Sequence, residues 1–277
     1  MKIWGIRIPE EGLDIQTKKY LATLPTVIPS VEWVWQEIDR IWESFSLDNS
    51  RPLSGQPIDA FYSHPVWLMN GLFTQSDPTS RGHRQSIAKY IHNLGVKLVV
   101  DYGGGLSALA QEIVHHDPQT EVVIVEPYPS ALALFMLKNE RRIKFVTSLS
   151  EISLPDLVIA QDVLEHLEDP VKKAFELCSL LRPGGTAIFA NCFYPVIQCH
   201  LPKTFHLRFT FPHVMQAMGL AFVESISGAE HALVFRKDAT LDLESARRAE
   251  RVSEWIGPLL NIVRQELGRL AKWISPG

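Results

Sequence analysis

The sequence predicts an α/β protein whose doubly wound, mostly parallel sheet ends in an antiparallel last strand. Three observations predict it. Seven short apolar runs alternate with segments of helical length between residues 96 and 238. The first run passes directly into three glycines and then a helical pattern, in "VVDYGGGLSALAQEI". The last two runs are separated only by "SGAE", too short for a crossover helix, so they must form an antiparallel hairpin. Strict alternation elsewhere implies parallel strands with right-handed crossovers.

Residues 1–94 precede that core and read as an N-terminal helical cap or lid. After "IPS", Val31, Val34, Trp35, Ile38, Ile41, Trp42 and Phe45 recur at helical spacing, with Ser30 placed to cap. Trp33 falls off this stripe. "LDNSRPLSGQPIDAFYSHP" is rich in Pro, Gly, Ser and Asn and reads as a loop. A second helix starts at "SDPTS", where Asp77 caps and Pro78 suits the first turn, and it stops at Gly95.

The core spans residues 95–238. Its strands are "KLVVD", "EVVIVE", "IKFVT", "DLVIA", "TAIFAN", "FVESI" and "HALVF". From residue 239 a C-terminal extension is helical on both sides of "GP". Leu259, Val263, Leu267 and Leu270 mark an apolar face for the core or for a second copy of the chain, a homodimer through terminal helices.

Composition narrows the partners. At 277 residues and 46% hydrophobic, the chain can bury one large core with a cap. A net charge of −4 leaves no basic footprint, so no DNA partner is expected. Cys178, Cys192 and Cys199 are too few for a disulfide framework. The opening "MKIWGIRIPEEGLD" lacks the features of a signal peptide, and no apolar run approaches the ~20 residues of a membrane span. A soluble, cytoplasmic protein is expected.

A glycine turn between strand and helix lets a ligand approach bare backbone at the carboxyl edge of the sheet. No Gly-Lys-Ser/Thr ending follows, which excludes a P-loop. Gly103, Gly105 and Ala108 satisfy the dinucleotide pattern G-x-G-x-x-A, and a turn without a ligand is a third reading. Asp101 bears on the choice. A carboxylate two residues before the first glycine repels a pyrophosphate and attracts an ammonium and a sulfonium, as in S-adenosylmethionine. Glu126 ends the next strand about twenty residues beyond the glycines, where an acid accepts both ribose hydroxyls. Tyr128 is placed to lie on the adenosine end or to pack in the core.

"VVDYGGGLS", "VIVEPY", "DLVIAQDVLEHLEDP" and "LRPGGTAIFAN", in that order, resemble the motif set of class I S-adenosylmethionine-dependent methyltransferases over roughly residues 90–238. The resemblance implies a Rossmann-like, seven-stranded sheet with an antiparallel last strand. It implies that Asp101, Gly103 and Gly105 line the methionine moiety and that Glu126 binds the ribose. Ser148 and Leu149 then border the adenine, and Gln161 and Asp162 border the reacting end. Gly104, Pro127, Tyr128 and His166 complete the expected cofactor set. One departure is Ser107, where the family has a third glycine; a serine there can cap the following helix.

A sulfonium methyl is already electrophilic, so the protein has mainly to align an acceptor and exclude water. A hydroxyl acceptor also gains from a general base. "NCFYPVIQCHLPKTFHLRFTFPHVM" carries His200 and His206, the expected catalytic candidates, and His213; His64 and His83 lie in the front segment. Arg81 and Arg84 are candidates to pin an acidic substrate. Asp162, Glu165 and His166 share one face if their segment is helical, as in metal-dependent small-RNA methyltransferases. No metal is expected, however, and Cys192, Cys199 and His200 lack zinc-finger spacing. The expected activity is methyl transfer to a small metabolite or natural product, leaving S-adenosylhomocysteine. The alternatives are methylation of a protein or RNA end, and a non-catalytic S-adenosylmethionine-binding regulator.

Overall fold

The computed structural model describes residues 1–274, with side chains through residue 264; Leu267 and Leu270 fall outside the described side chains. The chain starts with a two-stranded hairpin, β1 (Lys2–Ile3) and β2 (Ile6–Arg7). Five helices follow: α1 (Ile15–Ala22), α2 (Val31–Ser44), α3 (Gln56–Tyr62), α4 (Pro65–Ser76) and α5 (Pro78–Leu94). The anticipated caps are present at α2 and α5. Ser30 Oγ accepts from the Trp33 N–H at 3.4 Å and Asp77 Oδ2 from the Ser80 N–H at 2.7 Å, while Gly95 closes α5 at φ +64°.

Three of these helices, α1, α3 and α4, depart from the sequence reading. α3 lies inside the stretch read as loop. It starts after Gly55, with Pro57 in its first turn, and is held by Phe61, fully buried against Trp42 and Trp67. α4 escaped notice because it is buried on several sides at once, through Val66, Leu68, Met69, Leu72 and Phe73. That burial erases the amphipathic stripe.

The main sheet contains β3 (Leu98–Tyr102), β4 (Glu121–Val125), β5 (Ile143–Val146), β6 (Leu157–Gln161), β7 (Thr186–Ala190), β8 (Leu220–Ile226) and β9 (Ala229–Lys237). Their spatial order is β5-β4-β3-β6-β7-β9-β8. All neighbours pair in parallel except β9, which runs antiparallel between β7 and β8. On one face α5 and α6 (Ala108–His116) bury Ile87, Ile91, Leu109 and Ile113 against Val99, Ile124 and Ile159. On the other, α8 (Pro170–Leu180) and α9 (Phe211–Met218) bury Ala174, Leu177 and Met215 against Val100, Val158 and Phe189. Strands covered on both faces read as continuous apolar runs, which is how they are written. The remaining core helix, α7 (Ala131–Leu137), packs beneath the N-terminal hairpin through Leu132 and Ala133.

The tail is one helix, α10 (Leu243–Ile274), rather than two segments divided at "GP". Gly257 lies against the 202–208 turn so closely that a Cβ there would stand 2.4 Å from the His206 carbonyl oxygen. Packing on that turn carries the helix through Pro258. Its buried side is small, with Ala246 and Ser253 inside; the face marked by Leu259 and Val263 is exposed. Among the described residues no helix is long and apolar enough to cross a membrane.

Candidate functional site

The strand order reverses beside β3, where β4 and β6 flank it, and a crevice opens there at the carboxyl ends of the strands. The N-terminal helices roof it, giving a cavity of about 980 Å³, at the upper end of small-molecule sites. Its floor is the turn after β3. Gly103 (φ +76°) and Gly105 (φ +50°) take left-handed conformations that favour glycine. Gly104 is required for another reason: a Cβ there would stand 2.5 Å from Asp101 Oδ2. Ser107 departs from expectation. It is itself left-handed (φ +64°) and does not cap α6; its hydroxyl donates to the Leu106 carbonyl and accepts from Gln111 Nε2 at 2.9 Å.

Asp101, Gly103, Gly104, Gly105, Glu126, Pro127, Tyr128, Gln161, Asp162 and His166 all line this one cavity. Asp101 is 2% exposed, and its Oδ2 has no hydrogen-bond partner. Burial, with a smaller contribution from the Glu126 charge, pushes its carboxyl up to about 7. Glu126 accepts from the Gly105 and Tyr128 N–H groups, each at 3.2 Å, yet burial still holds it above the ordinary carboxylate range. Asp162 has a left-handed backbone (φ +53°), a conformation costing ~1–3 kcal/mol that concentrates at functional positions. Its side chain is exposed, yet desolvation by the surrounding cavity walls raises its carboxyl as well.

Other expected residues lie elsewhere. Ser148 and Leu149 do not line the cavity; Ser148 turns back to accept from the Ser150 N–H, and Leu149 packs towards the α8 side of the sheet. His200 is buried behind the wall with Nδ1 3.0 Å from the Tyr194 carbonyl, and its ring meets that of His166 edge-on. His206 is tucked under α10, where its carbonyl accepts from Thr210 and Ser253, and His213 is exposed on α9. Asp162, Glu165 and His166 do not share a helical face. Glu165 and His166 belong to a single 3₁₀ turn, and Glu165 points inward, fully buried.

Tyr62, Trp67 and His231 line the cavity without a sequence signal of their own, beside Tyr128, His83 and Arg84, which the sequence offers as candidates. Tyr62 stacks between Trp67 (5.4 Å between ring centres) and Tyr128 (6.1 Å), forming an aromatic stack along the cavity. The Tyr128 hydroxyl donates to Asp59, tying α3 to the loop after β4. His83 from α5 and His231 from β9 bring their rings to 4.8 Å. Four carboxylates line the cavity, those of Asp14, Asp101, Glu126 and Asp162. Among the described residues Arg84 is the only lysine or arginine that does. Arg84 is 6% exposed, and its Nε lacks a partner. Such a site suits a cationic ligand that also carries one anionic group.

Residues 100–189 match a family model described as a methyltransferase domain. Solved structures share the fold. Human N-acetylserotonin methyltransferase with S-adenosylmethionine is 19% identical, covering 80% of this chain and 70% of its own, at a TM-score of 0.54. The carbon methyltransferase CurJ is 14% identical over 81% and 70%, also at 0.54. The mitomycin 7-O-methyltransferase MmcR is 16% identical over 75% and 68%, at 0.50. No curated protein matches the chain in sequence.

Proposed function

We propose that this chain, which carries a class I S-adenosylmethionine-dependent methyltransferase domain, transfers the methyl group directly to a small organic acceptor bound under its N-terminal cap. The supporting observation is the single cavity, which brings together the glycine turn, the acidic groups and the aromatic stack of Trp67, Tyr62 and Tyr128. The residues fit the cofactor. Asp101 presents an orphaned buried carboxylate oxygen to an ammonium, and the glycines leave its approach free of Cβ atoms. Glu126, already aligned by two backbone N–H groups, accepts the ribose hydroxyls. Arg84, on the helix packed against α6, is the counter-charge for the methionine carboxylate. Bound there, the sulfonium supplies an electrophilic methyl group.

The chain's remaining task is alignment and exclusion of water, worth ~7–11 kcal/mol of the barrier when geometry is near attack. The roof supports a lid role for residues 1–94, with Tyr62 and Trp67 holding an acceptor ring by stacking. A base must reach the acceptor directly or through one water. The His83–His231 pair borders the cavity, whereas His200 and His206 do not, so the role of base is read on that pair. The exposed α10 face, with Trp255 82% exposed, supports self-association through that helix. A metabolite or natural-product acceptor and a cytoplasmic setting remain part of this reading.

The test is calorimetry with S-adenosylmethionine, followed by transfer of a labelled methyl group to small-metabolite, protein and RNA pools. The expected result is label in the small-molecule fraction. Label in protein or RNA overturns the acceptor class, and tight binding without any transfer favours a regulator. Sedimentation of Trp255→Ser beside the wild type tests the α10 contact.

A further inference from the structure

Glu165, Cys192 and His200 come from two loops that meet behind the cavity wall. A carboxylate oxygen, a sulfur and an imidazole nitrogen, one from each, lie within 4.8 Å of one another. The frame around them is tight. Glu165 Oε1 accepts from the Cys192 N–H at 2.8 Å, and the Glu165 carbonyl accepts from the Leu201 N–H at 2.9 Å. The other carboxylate oxygen, Oε2, is buried without a partner on a side chain that is fully inaccessible. His200 places Nδ1 against the Tyr194 carbonyl, which can only accept, so Nδ1 carries the proton and Nε2 keeps its lone pair. Metal-binding imidazoles are oriented in this way.

The geometry points to a three-ligand divalent metal site of the zinc type formed by Glu165, Cys192 and His200. An O, S and N donor set suits zinc and excludes the oxygen-only preferences of magnesium and calcium. An ion there answers the orphaned oxygen, which no lysine or arginine among the described residues neutralises. Cys192 also lines the cavity, so the ion stands at its wall. Its open fourth position takes water or the hydroxyl or thiol of a ligand in the cavity. This last clause rests on the methyltransferase reading; metal binding itself does not.

Cobalt(II) titration of the full chain is the test. The expected result is about one equivalent bound, with a thiolate charge-transfer band in the near ultraviolet and strong tetrahedral absorption in the visible. Zinc should displace it. Cys192→Ser should remove the thiolate band, and His200→Gln should weaken binding by at least ~10-fold, while His213→Gln on the exposed face of α9 changes neither. A wild-type spectrum without the thiolate band overturns the site without recourse to any variant. So does a Cys192→Ser protein, folded by circular dichroism, that retains the wild-type spectrum. Failure of methyl transfer with an intact cobalt spectrum would count against the proposed activity and leave the metal site standing.

Discussion

Asp101→Asn replaces the ionisable group on the cavity floor with a neutral one and leaves its shape. Burial raises the Asp101 carboxyl from 3.8 to about 7. At 1.36 kcal/mol per pH unit, the empty folded protein therefore favours the protonated acid by about 4 kcal/mol. An unfolded chain has released this proton above pH ~4, so between there and pH ~7 the folded state holds the extra proton. The group's contribution to stability consequently falls as pH rises through that window, then levels off. Asparagine has no such dependence. Above pH ~7 the empty variant should be more stable than the wild type by up to about 4 kcal/mol, at ~2–4 °C of melting midpoint per kcal/mol for a chain of this size.

Ligand binding should reverse the order. On the proposed function, the ionised carboxylate accepts a charge-assisted hydrogen bond from the cofactor ammonium, worth ~1.5–3 kcal/mol, so the variant should bind S-adenosylmethionine ~10- to 100-fold more weakly. Wild-type affinity should tighten as pH rises towards 7, because the proton must leave first. Thermal melts at pH 5 and pH 8, with and without cofactor, together with calorimetry, measure both effects. A variant that melts below the wild type when empty at pH 8, or that binds cofactor equally well, would refute the reasoning.

Three further outcomes are expected. Glu126→Gln sets an amide NH₂ against a backbone N–H and removes the acceptor proposed for the ribose; calorimetry should show the cofactor Kd rising by ~10-fold or more. Arg84→Met should weaken S-adenosylmethionine by ~10- to 100-fold yet leave the affinity for its decarboxylated analogue unchanged, which separates a carboxylate clamp from a packing role. Gly257→Ala pushes a Cβ against the His206 backbone and should cost ~1–3 kcal/mol in denaturant melts, with cofactor affinity of the folded protein preserved.

The sheet and the glycine turn at the floor of the cavity were legible because their causes are local. A strand buried on both faces needs a run of apolar residues, and β3, β4, β6 and β7 are such runs. A left-handed turn needs glycine, and Gly103 and Gly105 supply it. Short spacing forces a hairpin, and β8 with β9 forms one. Tertiary structure decided the rest. α3 and α4 owe their form to burial among partners distant in sequence, which overrides turn-rich composition and hides periodicity. Arg84 stands in the cavity because α5 packs on α6, and His83 meets His231 because β9 inserts beside β7. Glu165, Cys192 and His200 are 27 and 8 residues apart along the chain; only the folding of two loops against each other brings their donor atoms together. Residue type and neighbouring spacing are properties a sequence carries by itself, whereas convergence of distant side chains exists only once the backbone has closed around them.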